Sequence, residues 1–229
     1  MVIAMKVQLL SYTKDAERLC AAAGRSCYSK KAASKLLEEV DPERAGSMIS
    51  EITGMGHHSV IEHASYTFSI EGVSRALTHQ LVRHRIASFS QQSQRYVSIK
   101  EPTYVTPPSV SGDEALKEKF DSAMKVAWQA YRDLVEKVPA EDARYALPNA
   151  CTTNITVTMN ARELWHFLTL RTCSRAQWEI REVAEEMLKQ LKEVSPRIFS
   201  EAGPPCVRGP CPEGKLSCGK PRKRLVKKT

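Results

Sequence analysis

Apolar and polar positions alternate at the start of the chain, where Val7 and Leu9 in "MVIAMKVQLLSY" predict a first strand. Residues 14–23 follow at helical spacing and stop at Gly24. "DPERAGSMISEITGMG" predicts a second helix. Asp41 stands at its N-cap, Pro42 at its first position, and Gly54 and Gly56 at its end, with Met48, Ile49, Ile52 and Met55 at helical spacing between. "ASYTFSI" alternates Tyr66, Phe68 and Ile70 as a strand does, until Gly72 breaks it. "VSRALTHQLVRHR" aligns Val73, Ala76, Leu77 and Leu81 on one face, predicting a helix that ends near Arg83.

Prolines 102, 107 and 108 then mark a loop. Residues 113–138 read as a long amphipathic helix with Phe120, Ala123, Ala127, Ala130 and Leu134 as its apolar stripe. "CTTNITVTM" is rich in β-branched residues and predicts another internal strand. Asn160 and Glu163 open "NARELWHFLTLR" in the manner of a capping box. "AQWEIREVAEEMLKQLKEV" is a further amphipathic helix closed by Pro196. A few strands among more helix define an α+β (mixed α/β) class.

The 229 residues suffice for one large domain or two small ones, and the 42% hydrophobic and 26% charged shares are those of a globular protein. No apolar run approaches the roughly 20 residues of a spanning helix. The N-terminus lacks the basic start and long apolar stretch of a secretory signal, so a cytoplasmic location is expected. The net charge of +8 is unevenly placed: eight Lys or Arg against one Glu in residues 206–229 give +7, and residues 1–205 carry +1. A basic nucleic-acid-binding protein acting through this tail is the alternative reading of the chain. The seven cysteines are odd in number and argue against a disulfide framework.

Several motifs fail on inspection. "GPCPEGKL" (209–216) matches a phosphate-binding G-x-x-x-x-G-K, but Leu216 replaces the magnesium-binding hydroxyl and no strand or helix frames it. Five of the six histidines fall between His57 and His84, yet no pair has metal-binding helical spacing and no carboxylate set completes a site. The tail cysteines, C-x4-C-x6-C, are one ligand short of a structural zinc site. No metal is expected.

The unusual stretch is "RHRIASFSQQSQRY" (83–96), with three arginines, one histidine, three serines, three glutamines and no carboxylate. Such donors suit phosphate, because the guanidinium fork matches pairs of phosphate oxygens. A surface loop touching nucleic-acid phosphates remains the other reading, although only Phe89 and Tyr96 could stack on bases.

Arg83-His84-Arg85, seven residues, then Ser93 resembles the signature of the flavin-dependent thymidylate synthases. "AAAGRSCYS", "GHHSVIEH", "ARYALPNA" and "NARELWHFLTLRTCSRAQWEIR" resemble that family's other blocks in the same order, over roughly residues 5–200. The resemblance implies a central mixed sheet with flanking long helices across residues 1–203, followed by a Cys-containing basic tail over 204–229 with little regular structure. It implies a homotetramer with shared active sites, no nucleic-acid or membrane partner, and FAD-dependent reductive methylation of dUMP to dTMP. Methylene-tetrahydrofolate would give the carbon and NADPH the reducing power.

By matching positions, the resemblance assigns flavin contacts to Ser59, Glu62, the Arg83-His84-Arg85 run and Gln91. Asn160, Ala161, Arg162 and His166 join them. It assigns dUMP to Gln80, Leu81, Val82 and Arg83, to the run Gln91, Gln92, Ser93, Gln94 and Arg95, and to Arg144 and Arg171. Arg171 would polarise the uracil so that C5 becomes nucleophilic, and His57 would handle folate or a proton. Gln91 stands where many relatives are acidic. Ser93, with no adjacent base, is read as a substrate contact and not a nucleophile.

Overall fold

The computed structural model describes residues 4–99, 101 and 103–222. Four strands, β1 (Lys6–Tyr12), β2 (Ser65–Ser74), β3 (Ala87–Gln91) and β4 (Thr152–Asn160), pair in the order β1-β2-β4-β3. Nine α-helices among the described residues interrupt them. These are α1 (Ala16–Ser26), α2 (Ala33–Glu39), α3 (Pro42–Gly54), α4 (Arg75–Leu81), α5 (Pro108–Ser111), α6 (Glu114–Val135), α7 (Ala140–Ala143), α8 (Ala161–Arg171) and α9 (Trp178–Val194).

The α+β class is as expected, but the sheet is antiparallel and not mixed. Thr67 meets Thr158 at 2.9 Å, while Gly72, further along β2, meets Asn154, further back along β4. Burial alternates along both strands, the half-covered pattern that antiparallel sheets tolerate and parallel ones seldom do.

The chain divides into two compact units. The first holds the described residues of 1–6, 70–83 and 89–156. Its core packs Trp128 and Tyr131 of α6 against Ala143 and Cys151, the two rings meeting edge-on at 5.7 Å. The buried face of α6 is therefore Met124, Trp128 and Tyr131, one helical step from the stripe expected from its alanines; Ala123, Ala130 and Leu134 are exposed. Two aromatic rings remove more apolar area from water than three alanines, and so set the rotation of the helix.

The second unit holds 7–69, 84–88 and the described residues of 157–229. Phe68, Val157, Met159, Leu164, Phe167, Ile180, Val183 and Met187 are at most 1–2% exposed in its core. Buried polar atoms are paired: Tyr66 Oη donates to Ser195 Oγ at 2.8 Å, and Trp165 Nε1 donates to the Ile198 carbonyl at 2.8 Å. Helix α1 does not stop at Gly24 but continues two residues beyond it. A Cβ at Gly24 would stand 3.3 Å from Val60 and 3.5 Å from Met48, so this glycine allows close packing and does not end the helix. The described residues after Gly203 form two short 3₁₀ turns, at Pro205–Val207 and Gly214–Leu216. Arg175 holds the second turn through Glu213 and the Leu216 carbonyl.

Candidate functional site

Each unit carries a recess. In the second unit, helix α3 runs out at Gly54. Gly56, at φ +85°, then reverses the chain into a 3₁₀ turn, His58–His63. That turn faces the start of α8, where the Asn160 side chain accepts the Glu163 N–H at 2.9 Å as an N-cap. Between them lies a cavity of about 740 Å³ lined by His58, Glu62, Ile86, Asn160, Arg162, Glu163, Trp165 and His166, with Glu201 and Arg208 closing one side. Four residues expected at the flavin, Glu62, Asn160, Arg162 and His166, line it. Arg162 pairs with Glu62. His58 packs against the Trp165 ring at 4.9 Å and hydrogen-bonds the Thr53 carbonyl at 3.2 Å.

Glu163 completes only half of a capping box. Its carboxylate turns to His84 Nδ1 at 3.1 Å, and both side chains are buried, 7% and 3% exposed. On the other side of the ring, Arg171 Nε donates to His84 Nε2 at 3.2 Å. Only one tautomer fits both bonds: Nε2 must carry the lone pair, so Nδ1–H is the donor to Glu163. Burial, then the Arg171 charge and His166, push the His84 pKa down to about 4, so the ring is neutral at physiological pH. Burial also raises Glu163 and lowers Arg171 from their ordinary values. His84 further packs edge-on to Phe167 at 5.0 Å and lies 5.6 Å from the His166 ring. A fixed carboxylate thus orients an imidazole, which in turn holds the guanidinium of Arg171.

The signature residues lie in a turn and not on a helix, because α4 ends at Leu81. They diverge as unlike neighbours should: His84 is buried, while Arg83 and Arg85 are exposed. Ser59 and His57 are exposed and Ala161 is buried, and none of the three lines the cavity.

The first unit carries a notch of about 450 Å³ lined by Arg75, His79, Gln94, Arg144, Tyr145, Leu147, Pro148 and Asn149. Backbone bonds from Arg75 N to the Cys151 carbonyl and from Ala76 N to the Asn149 carbonyl, both 3.0 Å, seat the start of α4 against this wall. Gln94 and Arg144, expected at dUMP, line the notch. Arg95 is steered by Glu141 at 2.7 Å, whose carbonyl also accepts Arg144 Nε at 3.0 Å. Gln91 spends its amide on the hydroxyls of Thr78 and Thr153, at 3.1 and 3.3 Å. Ser93 Oγ accepts the Arg95 N–H at 3.2 Å. Gln80 and Gln92 stand outside the notch, Leu81 is core, and Val82 and Arg83 are exposed.

Sequence reasoning missed Glu163, Trp165, Arg75 and Arg208. The capping pattern accounted for Glu163 by itself, and the other three owe their place to chain segments that only the fold brings together. Among the described residues no three His, Cys, Asp or Glu side chains converge on a metal-sized point, and no helix is long and apolar enough to cross a membrane.

Guanidiniums and an aromatic ring line each recess, Arg162, Arg208 and Trp165 in one and Arg75, Arg144 and Tyr145 in the other, side chains whose chemistry suits anions and flat rings. The family model for thymidylate synthase complementing protein matches residues 8–197. The flavin-dependent thymidylate synthase of Geobacter sulfurreducens is 54% identical over 219 residues, 94% of each chain. That of Sulfolobus acidocaldarius is 48% identical over 206 residues, 89% of this chain and 78% of the relative. Among solved structures, the UMP/dUMP methylase PolB of Streptomyces cacaoi, bound with 5-Br dUMP, superposes with a TM-score of 0.75 at 25% identity, covering 86% of this chain and 93% of that one. The chain belongs to the thymidylate synthase complementing protein family.

Proposed function

We propose that this chain catalyses the reductive methylation of dUMP to dTMP, with FAD as cofactor, methylene-tetrahydrofolate as carbon donor and NADPH as reductant. The observation that carries the proposal is the Glu163–His84–Arg171 chain beside the cavity wall. It is a pre-set cation, oriented by buried neighbours, of the kind that stabilises charge developing on a substrate.

The cavity's donors suit FAD. The wall sets Ile86 and the Trp165 ring among polar and charged side chains, His58, Asn160, Arg162 and His166 with them, so a ring system has apolar surface to rest on and donors around it. Glu62, Asn160, Arg162 and His166 would hold the cofactor, which when bound supplies the redox chemistry that reduces the transferred carbon.

The chain's own work is binding and polarisation. His84 Nε2 takes the Nε–H of Arg171 and so fixes the orientation of its guanidinium. Placed at the uracil oxygens, that guanidinium would favour an enolate-like pyrimidine and raise the nucleophilicity of C5. Gln94, Arg95 and Arg144 would hold the nucleotide, with Ser93 as a binding hydroxyl; His57 would serve folate or a proton. A homotetramer in the cytoplasm accompanies this reading.

The test is Arg171→Ala, assayed for dTMP formed from dUMP and methylene-tetrahydrofolate. The variant should fold and take up FAD, yet lose turnover on the order of 10²–10³-fold, the loss typical of one such donor. Wild-type turnover would remove Arg171 from this role.

A further inference from the structure

Arg208 stands eleven residues past the end of the segment that the family model matches, residues 8–197, yet it lines the same cavity as Asn160 and Arg162. The chain after α9 brings it back. Ile198, Phe199 and Ala202 are buried, at most 2% exposed, and Val207 is 8% exposed, so the segment is anchored on both sides of Gly203. Gly203 itself, at φ +144°, takes a backbone angle that other residues rarely adopt.

The guanidinium is held in one orientation. Its carbon lies 5.2 Å from the centre of the Trp165 ring, a cation–π contact. Nη1 donates to two carbonyls, Glu201 at 2.7 Å and Gly203 at 3.1 Å, which uses both of its hydrogens. Nε and Nη2 have no hydrogen-bond partner among the described residues, and no carboxylate lies within ion-pair distance of Arg208 there. The cavity's other charges are committed. Arg162 faces Glu62 and Glu163 faces His84, while Glu201, also in the wall, lies beyond ion-pair distance of Arg208. The Nε–Nη2 edge is the one with which arginine grips two oxygens of a phosphate or carboxylate at once.

We infer that Arg208 is a binding residue for the diphosphate of a dinucleotide cofactor, supplied to the cavity by the C-terminal segment. Trp165 and the two carbonyls serve to aim its free edge. The inference rests on the flavin reading above and gives this segment a role in the site.

The experiment is an equilibrium titration of the full-length protein with FAD and, separately, with riboflavin, which has the same ring system and no phosphate. Flavin fluorescence is the readout. Arg208→Ala should weaken FAD binding on the order of 10–100-fold, as expected for a lost charge-assisted pair, and leave riboflavin binding within about twofold. Arg208→Lys keeps the charge and the stem over Trp165 but loses the fork, and should fall between. It also covers the case in which the alanine variant is unstable, with thermal melts checking each protein.

FAD binding unchanged in both variants would overturn the inference. So would an equal loss of FAD and riboflavin, which marks a packing role. Unchanged FAD affinity with weakened tetrahydrofolate binding would reassign the edge to the folate carboxylates and overturn the diphosphate. Failure of the wild-type protein to bind either flavin would instead sink the flavoenzyme reading on which all this stands.

Discussion

Glu163→Gln separates positioning from packing at the centre of the site. Glutamine has nearly the same shape, so the packing of α8 survives, and an ionised group leaves a site where only 7% of its side chain meets water. Relief of that desolvation offsets the lost bond, so stability should change by no more than about 1 kcal/mol. The chemistry should suffer more. The carboxylate can only accept, which fixes Nδ1–H and leaves Nε2 for the Arg171 Nε–H at 3.2 Å. A glutamine amide can turn its NH₂ toward Nδ1, and the ring proton then moves to Nε2, setting donor against donor at Arg171. A hydrogen bond to a charged group is worth about 1.5–3 kcal/mol, so kcat should fall roughly 10–100-fold with little change in the KM for dUMP. The assay is steady-state dTMP formation beside a thermal melt. A folded Glu163→Gln protein with wild-type kcat would refute the relay, and a loss of stability with unchanged kcat would reduce Glu163 to packing.

Acid should destabilise the protein through His84. Its native pKa of about 4 lies below the ordinary 6.5, so between these values the unfolded chain binds the extra proton; the stability this group contributes falls as pH drops from about 6.5 and is gone below about 4, where both states are protonated. Glu163, raised by burial, takes up its proton earlier in the native state and offsets part of this at the acid end; denaturant midpoints that stay flat from pH 7 to 4 in wild type, or slope equally in His84→Gln, would contradict the assignment. Tyr66→Phe should cost about 1–2 kcal/mol, because it leaves the buried Ser195 hydroxyl without the 2.8 Å bond it now receives; a midpoint shift near zero in urea denaturation would show that this hydroxyl finds another partner. Gly24→Val should destabilise by about 1–3 kcal/mol, since even a Cβ there already meets Val60 at 3.3 Å; a variant as stable as wild type would contradict the close packing at this position.

Much of this was legible in the chain. Period-2 alternation in Tyr66, Phe68 and Ile70 marked β2, and the Asp41 and Asn160 caps marked the starts of α3 and α8. Local patterns failed where tertiary packing decides. The stripe of α6 follows Trp128 and Tyr131, not its alanines, and α1 passes through Gly24 because Val60 and Met48 press on it. Strand β3 hid inside a stretch chosen for its polar chemistry: Phe89 is only half covered and stands between exposed serines, so no apolar alternation announced it. Donors in "RHRIASFSQQSQRY" flagged anion binding, but composition cannot say that His84 turns inward while Arg83 and Arg85 turn outward. Glu163 and Arg208 were invisible for a similar reason. One was already explained by a capping pattern, and the other sat in a tail whose charge looked merely solvated.

The most direct test of the central claim is the visible absorption spectrum of the purified protein supplied with FAD, recorded before and after adding dUMP. Flavin bands that appear on the protein and then shift with the nucleotide are the predicted result, since the proposed reaction uses both ligands together. A protein that takes up no FAD, or whose bound flavin is indifferent to saturating dUMP, would contradict it.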